Sequence, residues 1–393
     1  MKKTAAAIAS LATFATFTVL ATTSSLAQAQ SSVTLYGTVD AGIESFSNQN
    51  ANKNSKTDFA GKGGELPTLW GFKGSEDLGG GQKAVFNLEG SYNSGTGANT
   101  AGNANGNGNL FGRQAYVGLG GQWGTVKMGL QVDPAFSSMK ATDPRGGKQS
   151  FSGLQTWINS TINLVGNGAV ATTTANIFDQ NAVSYNYNGN GVDATVLYGI
   201  GGVAGGSSKN SVFSLGGTYK TGGLVIGAGT FHDQTSGPIS TGNATSYTNV
   251  SEYNLGAGYS SDSWSVKGFY MGVKGNNKGS NLGTLGIDEY QTGGIGGAYK
   301  VSNALSFDAS IYQTKDQTLG GHVRMVALGA DYALSKRTGL YALYGSSRNG
   351  GGNGFGTSRN TTTPGTASLT QSGAVNQYGM ITNGLVVGLN HQF

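Results

Sequence analysis

The chain has 393 residues, of which 69 are glycine, with 18 tyrosines, 16 phenylalanines, no cysteine and only 11% charged side chains. So much glycine carries a backbone-entropy cost in any packed element, and the lack of cysteine excludes disulfides and thiolate metal sites. The net charge of +5 comes with no Lys/Arg cluster, so nucleic acid is not an expected partner.

Lys2 and Lys3, a small and apolar run from Ala5 to Ala21, and Ala27-Gln28-Ala29 form the pattern of a secretory signal over residues 1–29, cleaved before Gln30. A membrane anchor is disfavoured because several Thr interrupt the run and no stop-transfer segment follows. Loss of the two leader lysines leaves 22 bases against 19 acids, a net charge of +3. No later stretch approaches the roughly 20 apolar residues that a helix needs to cross a bilayer.

From Val33 the residues alternate. Val33, Leu35, Gly37, Val39 and Ala41 share one face, and Thr34, Tyr36, Thr38 and Asp40 the other, which is the period of a strand. Local pattern does not separate a soluble sandwich from a membrane barrel, but connection lengths do. Very short polar turns recur at 120–122, 188–190, 220–222, 260–262, 300–302 and 334–336, and between them lie long Gly/Asn/Ser/Thr-rich segments at 47–64, 95–109, 234–249, 274–286 and 349–377. Short turns at one end and long loops at the other predict a transmembrane β-barrel.

The expected strands are 33–46, 65–74, 82–94, 110–120, 123–131, 180–188, 191–202, 210–220, 223–233, 250–260, 263–274, 287–300, 303–314, 321–333, 337–348 and 380–393. The fold expected is therefore all-β: a closed antiparallel barrel of about sixteen strands, with 14 and 18 as the neighbouring even counts, forming a single domain over residues 30–393. Such closure leaves no unpaired edge in lipid. Tyr116, Trp123, Tyr187, Tyr198, Tyr219, Tyr259, Trp264, Tyr299, Tyr332, Tyr341 and Tyr344 fall near strand ends, where most are expected in interfacial girdles and some inside the lumen. The longest connection, 132–179, is third among the external ones, and a wide barrel can hold such a loop in its lumen.

Enzymatic chemistry lacks its constellation. His232, His322 and His391 lie on separate expected strands, with no G-x-S-x-G elbow and no H-E-x-x-H helix. Gly199 to Ala204 matches a degenerate dinucleotide fingerprint, but "GGSSKN" follows where a helix must open. Asp288 and Glu289 are adjacent on a strand and so face opposite sides. No enzyme activity, cofactor or metal site is expected. Strand pattern begins at Val33, which leaves no room for a folded plug and favours passive diffusion.

Particular segments are familiar: "SSVTLYGTVDAG" after the cleavage site, "WGFKGSEDLGGGQKAVFNLE" at 70–89, "FGRQAYVGLGGQWGTVKMG" at 111–129 and the terminal "VGLNHQF". They closely resemble the general porins of β-proteobacteria, of the Burkholderia and Neisseria type, and the resemblance spans nearly the whole mature chain. It implies an outer-membrane homotrimer of sixteen-stranded barrels, an inward-folded third loop, and a water-filled passage for ions and small hydrophilic solutes. Outer-membrane lipid, lipopolysaccharide and the barrel-assembly machinery are the other partners it implies.

The third loop carries Asp133, Lys140, Asp143, Arg145 and Lys148, a mixed set suited to a constriction, whose narrow aperture focuses their field on the solute. In the resembling family, acids of this loop face a basic wall, to which "FGRQAYVG" contributes Arg113; Lys73, Tyr36 and Asp40 are further pore candidates. Strict alternation from Val117 and Leu119 points Arg113 outward, so a bulge or the strand end must turn it inward. The family's basic positions are depleted here: Leu69 stands in "TLWGFKG", Leu130 in "MGLQ", Asp179 is the only charge of "NIFDQNAVSYNY", and Asn390 replaces a base near the end. An anion preference weaker than the family's, down to near-neutral or mildly cation-selective conductance, is therefore expected. At the C-terminus Leu385, Val387, Leu389, His391 and Phe393 alternate, and the terminal aromatic resembles the signal read by the barrel-assembly machinery, with Val387 and Leu389 as its apolar partners.

Overall fold

The computed structural model describes residues 32–49, 52–100, 109–154, 157, 177–206, 208–234, 247–278, 289–317, 320–350 and 381–393. The expected leader, 1–29, and Asp288 lie outside the described residues. In chain order the strands are β1 (Ser32–Phe46), β2 (Lys56–Phe59), β3 (Leu69–Gly79), β4 (Gln82–Ser91), β5 (Gln114–Gly121) and β6 (Gly124–Val132). Helix α1 (Pro134–Thr142) follows, then β7 (Phe178–Gly189), β8 (Val192–Gly199), β9 (Val212–Thr221), β10 (Leu224–Asp233), β11 (Tyr247–Ser260) and β12 (Trp264–Lys278). The series ends with β13 (Glu289–Lys300), β14 (Leu305–Asp316), β15 (His322–Ala333), β16 (Thr338–Asn349) and β17 (Ile381–Gln392).

Setting β2 aside, every strand pairs antiparallel with the next, and β1 pairs with β17, so the sheet closes on itself. The short β2 is a flap that pairs with the end of β1 from Ile43 to Phe46, while β3 pairs with the start of β1 from Ser32 to Thr38. Apart from β2, sixteen strands make the barrel. Closure is completed by the last residue. The Gly37 and Phe393 backbones exchange two N–H···O bonds of 3.1 Å, and a Cβ on Gly37 would run into the Phe393 ring.

Strand positions match the expected ones closely, with one displaced. The second barrel strand is Leu69–Gly79 rather than 65–74, because Gly79, Gly80 and Gly81 all have positive φ (80°, 62° and 75°) and form the turn themselves. The charged Glu76 and Asp77, which resemble loop residues, are the polar end of a strand leaving the membrane.

The barrel is inside out relative to a soluble protein. Val33, Leu35, Val117, Leu119, Leu255 and Ile295 are each more than half exposed on the outer face, as a lipid-facing surface requires. Trp123, Tyr187, Tyr198, Tyr219, Tyr259, Trp264, Tyr299, Tyr332 and Tyr344 are also exposed there. Tyr116 and Tyr341 instead share the inward row, opposite Asn87 and Gly388. Buried apolar residues are on the inner face of one side of the barrel, where Phe231, Met271, Tyr290, Met325 and Leu343 pack with Phe136, Met139, Phe151 and Trp157 of the third long connection.

Candidate functional site

The third connection enters the barrel as a helix. Asp133 and Pro134 form its start: the Asp133 carboxylate accepts the Phe136 N–H at 2.7 Å, and proline occupies the first turn, where its missing N–H costs nothing. The Asp-Pro pair preceding an apolar-periodic run is a legible helix start, yet the segment does not stand out among so many polar loops. Glycines on the wall make room for the helix. A Cβ on Gly229 would sit 2.6 Å from the Ala135 Cα and 2.6 Å from the Ser138 Oγ, and on Gly227 2.8 Å from the Ser138 carbonyl. Gly216 and Gly256 face Pro134 and Thr142 as closely. These four share the inward rows of β9, β10 and β11, and none has positive φ, so space rather than backbone conformation requires glycine there.

Beyond α1 the loop is tied down by charges. Lys148 Nζ lies 3.0 Å from Glu65, 2.9 Å from Asp308 and 2.8 Å from Asp331, and the buried Arg145 Nε lies 3.3 Å from Asp308. Asn390 donates to Glu65 at 2.7 Å. Burial opposes the charge on Lys148, but Asp308, Glu65 and Asp331 outweigh it and raise its pKa. The Glu65 carboxyl is pushed up to about 7, by burial against the pull of Lys148. Together these groups latch the loop to β14, β15 and β17.

On the opposite wall a polar network faces the opening. Tyr36 donates to Asn87 and Glu89, both at 2.8 Å, Arg113 Nε reaches Glu89 at 2.6 Å, and Lys73 Nζ lies 4.9 Å from the Tyr36 ring centre. Arg113 turns inward because β5 starts only at Gln114. Its N–H bonds to the Glu89 carbonyl at 3.1 Å, and its side chain lies outside the strict alternation of the strand. From the helix, Lys140 confronts this network; partial burial and then the Arg113 charge lower its pKa. The loop thus lies on one side of the lumen and a polar, mainly basic wall on the other.

The model of the Gram-negative porin family matches residues 15–352. The chain belongs to that family. An outer membrane porin of Bordetella pertussis is 29% identical over 382 residues, covering 88% of this chain and 94% of that protein. Outer membrane porin protein 32 of Delftia acidovorans is also 29% identical, over the full length of both chains. Among solved structures, an anion-selective porin from Comamonas acidovorans superposes with a TM-score of 0.73 at 25% identity, over 93% of this chain and 100% of that one. This porin is thus an outer-membrane β-barrel channel, and its family consists of channels rather than enzymes. Its short turns face the periplasm and its long loops the exterior.

Several candidate pore charges are placed by the porin's fold behind the lumen surface rather than on it. Asp40 is fully buried and accepts the N–H groups of Gly64, Glu65 and Leu66 and, at 2.6 Å, the Tyr341 hydroxyl, so it folds the first external loop. Asp143 is fully buried, ends α1, and accepts from the N–H groups of Gly147 and Gly153 and from the Tyr312 hydroxyl. Asp133 caps the helix, with burial raising its pKa to about 6, and Arg145 belongs to the latch. The three aspartates share one reason: a polar loop held inside a barrel must satisfy its own backbone N–H groups, and nearby carboxylates accept them, whereas Arg145 is engaged by Asp308. Lys140, Arg113, Lys73 and Tyr36 remain at the opening. Leu69 stands opposite Thr38 in the inward row, whereas Leu130 stands opposite Ala115 in the outward row beside a bulge at Gly129. Asp179 is buried near Asp133. His232 and His391 bond Ser251 and Thr338 on the outer face, far apart along the strands.

Sequence reasoning missed Glu89, Asn87 and Lys127 on the wall, and Glu65, Asp308 and Asp331 in the latch. Alternation from Tyr36 through the β1–β3–β4 register gives Glu89 and Asn87 an inward direction, so those two were accessible in principle. The latch acids meet Lys148 only through the loop's fold.

Proposed function

We propose that this porin carries small hydrophilic solutes by passive diffusion with a weak preference for anions, and that it works as a homotrimer. The observation that carries the anion preference is the division of charges. The loop's acids are buried in caps and Lys148 is enclosed by the latch acids, while Lys73, Lys127 and Lys140 face the lumen and make no ion pair among the described residues. A narrow, low-dielectric aperture focuses such a field on passing ions. The preference is weak because Leu69 contributes no charge and Glu89 offsets Arg113. The anion selectivity of the structurally similar Comamonas porin supports the sign.

Reversal potentials across a planar bilayer in a KCl gradient test this. Chloride is expected to carry more current than potassium, and the preference should decline as pH rises towards 10, because Lys140, its pKa lowered by burial and by Arg113, loses its charge earlier than a free lysine. A cation-preferring channel at pH 7 would overturn the reading. The trimer is supported by family membership and by the apolar outer band, and the mass of the detergent-solubilised native channel checks it. Removal of residues 1–29 is checked by N-terminal sequencing, which should begin at Gln30.

A further inference from the structure

Beneath α1, towards the periplasm, a cavity of about 350 Å³ lies between the helix and the inward rows of β5 to β9. That volume corresponds to the liquid share of about twelve waters, which is room for an organic molecule rather than a bare ion. Most of its polar lining is already engaged. Ser184 donates to Gln131 at 2.5 Å, Asn186 donates to Thr195 at 2.8 Å, and the hydroxyls of Ser137 and Ser138 bond carbonyls within the helix. The Asp193 carboxylate, the one acid of the lining, is held by Asn186 at 2.8 Å and Asn188 at 3.1 Å.

What remains is chiefly cationic. Lys127 and Lys220 both line the cavity, and neither makes an ion pair among the described residues. Lys127 is steered by the Tyr116 ring, whose centre lies 5.0 Å from its Nζ. Thr218 stands beside Lys220 in the inward row of β9, opposite Asp193. An ammonium group against an aromatic ring at one end of the cavity, and a second ammonium with a hydroxyl towards the other, suit a ligand that has one oxyanion and several hydroxyls.

We propose that this cavity is a binding site for polyhydroxylated carboxylates of sugar-acid size, held at one end by Lys127 through the carboxylate and towards the other by Thr218 and Lys220 through hydroxyls. Neither Lys140 nor Arg113 lines the site, which therefore adds a saturable step to diffusion separate from them. It rests on the anion-preferring reading above.

The test uses the full-length mature channel in planar bilayers, with KCl carrying the current and gluconate as the probe. Gluconate should reduce chloride conductance saturably and at lower concentration from the periplasmic side. In the Lys127→Gln/Lys220→Gln variant the half-blocking concentration should rise ~10-fold or more, as loss of charge-assisted bonds implies, while Lys127→Arg/Lys220→Arg keeps the block. Thr218→Val, a milder change that tests the site should the double variant fail to assemble, should raise it by a few-fold. Block unaffected by these substitutions but lost in Lys140→Gln would place binding at the aperture and overturn the proposal. Inorganic phosphate blocking as strongly as gluconate would overturn the assignment to sugar acids. A cation-preferring current in KCl refutes the underlying reading, whereas an anion-preferring current with no gluconate block refutes only the cavity.

Discussion

Replacing Lys148 with methionine keeps an unbranched stem one atom shorter and removes the charge that Glu65, Asp308 and Asp331 share at 3.0, 2.9 and 2.8 Å. Arg145 then remains as the only base of the latch, and it reaches Asp308 alone. Removing one partner of a buried pair costs ~3–5 kcal/mol. Asp331 is 31% exposed and is partly screened by water, so the low end applies: ~3 kcal/mol, on the order of a hundredfold in the equilibrium between docked and released loop. The pH dependence has a definite sign. Burial raises Glu65 from 4.5 to about 7 in the docked loop, so docking binds a proton and weakens as pH rises through that range. Without Lys148, which pulls the value down, the dependence steepens and extends upward. Single-channel recordings of Lys148→Met should therefore show far more frequent transient closures than the parent, and more at pH 8 than at pH 6. Lys148→Arg should restore most of the quiet open state. A Lys148→Met channel as steady as the parent at pH 8, or noisier at pH 6 than at pH 8, would refute the latch.

Glu89→Gln leaves Arg113 without its 2.6 Å partner, so the chloride-to-potassium permeability ratio from reversal potentials should rise. Gly229→Val places a side chain 2.6 Å from the Ala135 Cα and should cost ~1–3 kcal/mol by overpacking; displaced α1 would appear as a changed single-channel conductance, whereas Gly217→Val, in the outward row of β9, should leave conductance unaltered. Deleting Phe393 removes both backbone bonds to Gly37 and the ring against it, and the yield of assembled heat-modifiable channel should fall. Assembly at the parental level would show that neither the closure contact nor an assembly signal depends on this residue.

The barrel was legible in the sequence because its constraint is local and repeated. Lipid on one side and water on the other impose a period of two on every strand, and Phe393, Leu389 and Val387 show it as plainly as Val33 and Leu35. Turn residues such as Asn188-Gly189-Asn190 mark the strand ends for the same reason. The fate of the third loop was legible only in part. Its length and position indicated an inserted loop, but the roles of its charges did not follow from type or spacing. Asp133, Asp143 and Arg145 are ordinary constriction candidates as letters, and become cap, turn and latch only when the loop folds against β9 to β17. Arg113 shows the opposite case, a residue that alternation directs to lipid and the strand end releases to the lumen. Alternation fixes which face a strand residue takes, since each Cβ direction is set by its own backbone. A loop charge takes its role from partners more than a hundred residues away, as Lys148 does from Asp308 and Asp331, and only the tertiary structure decides that.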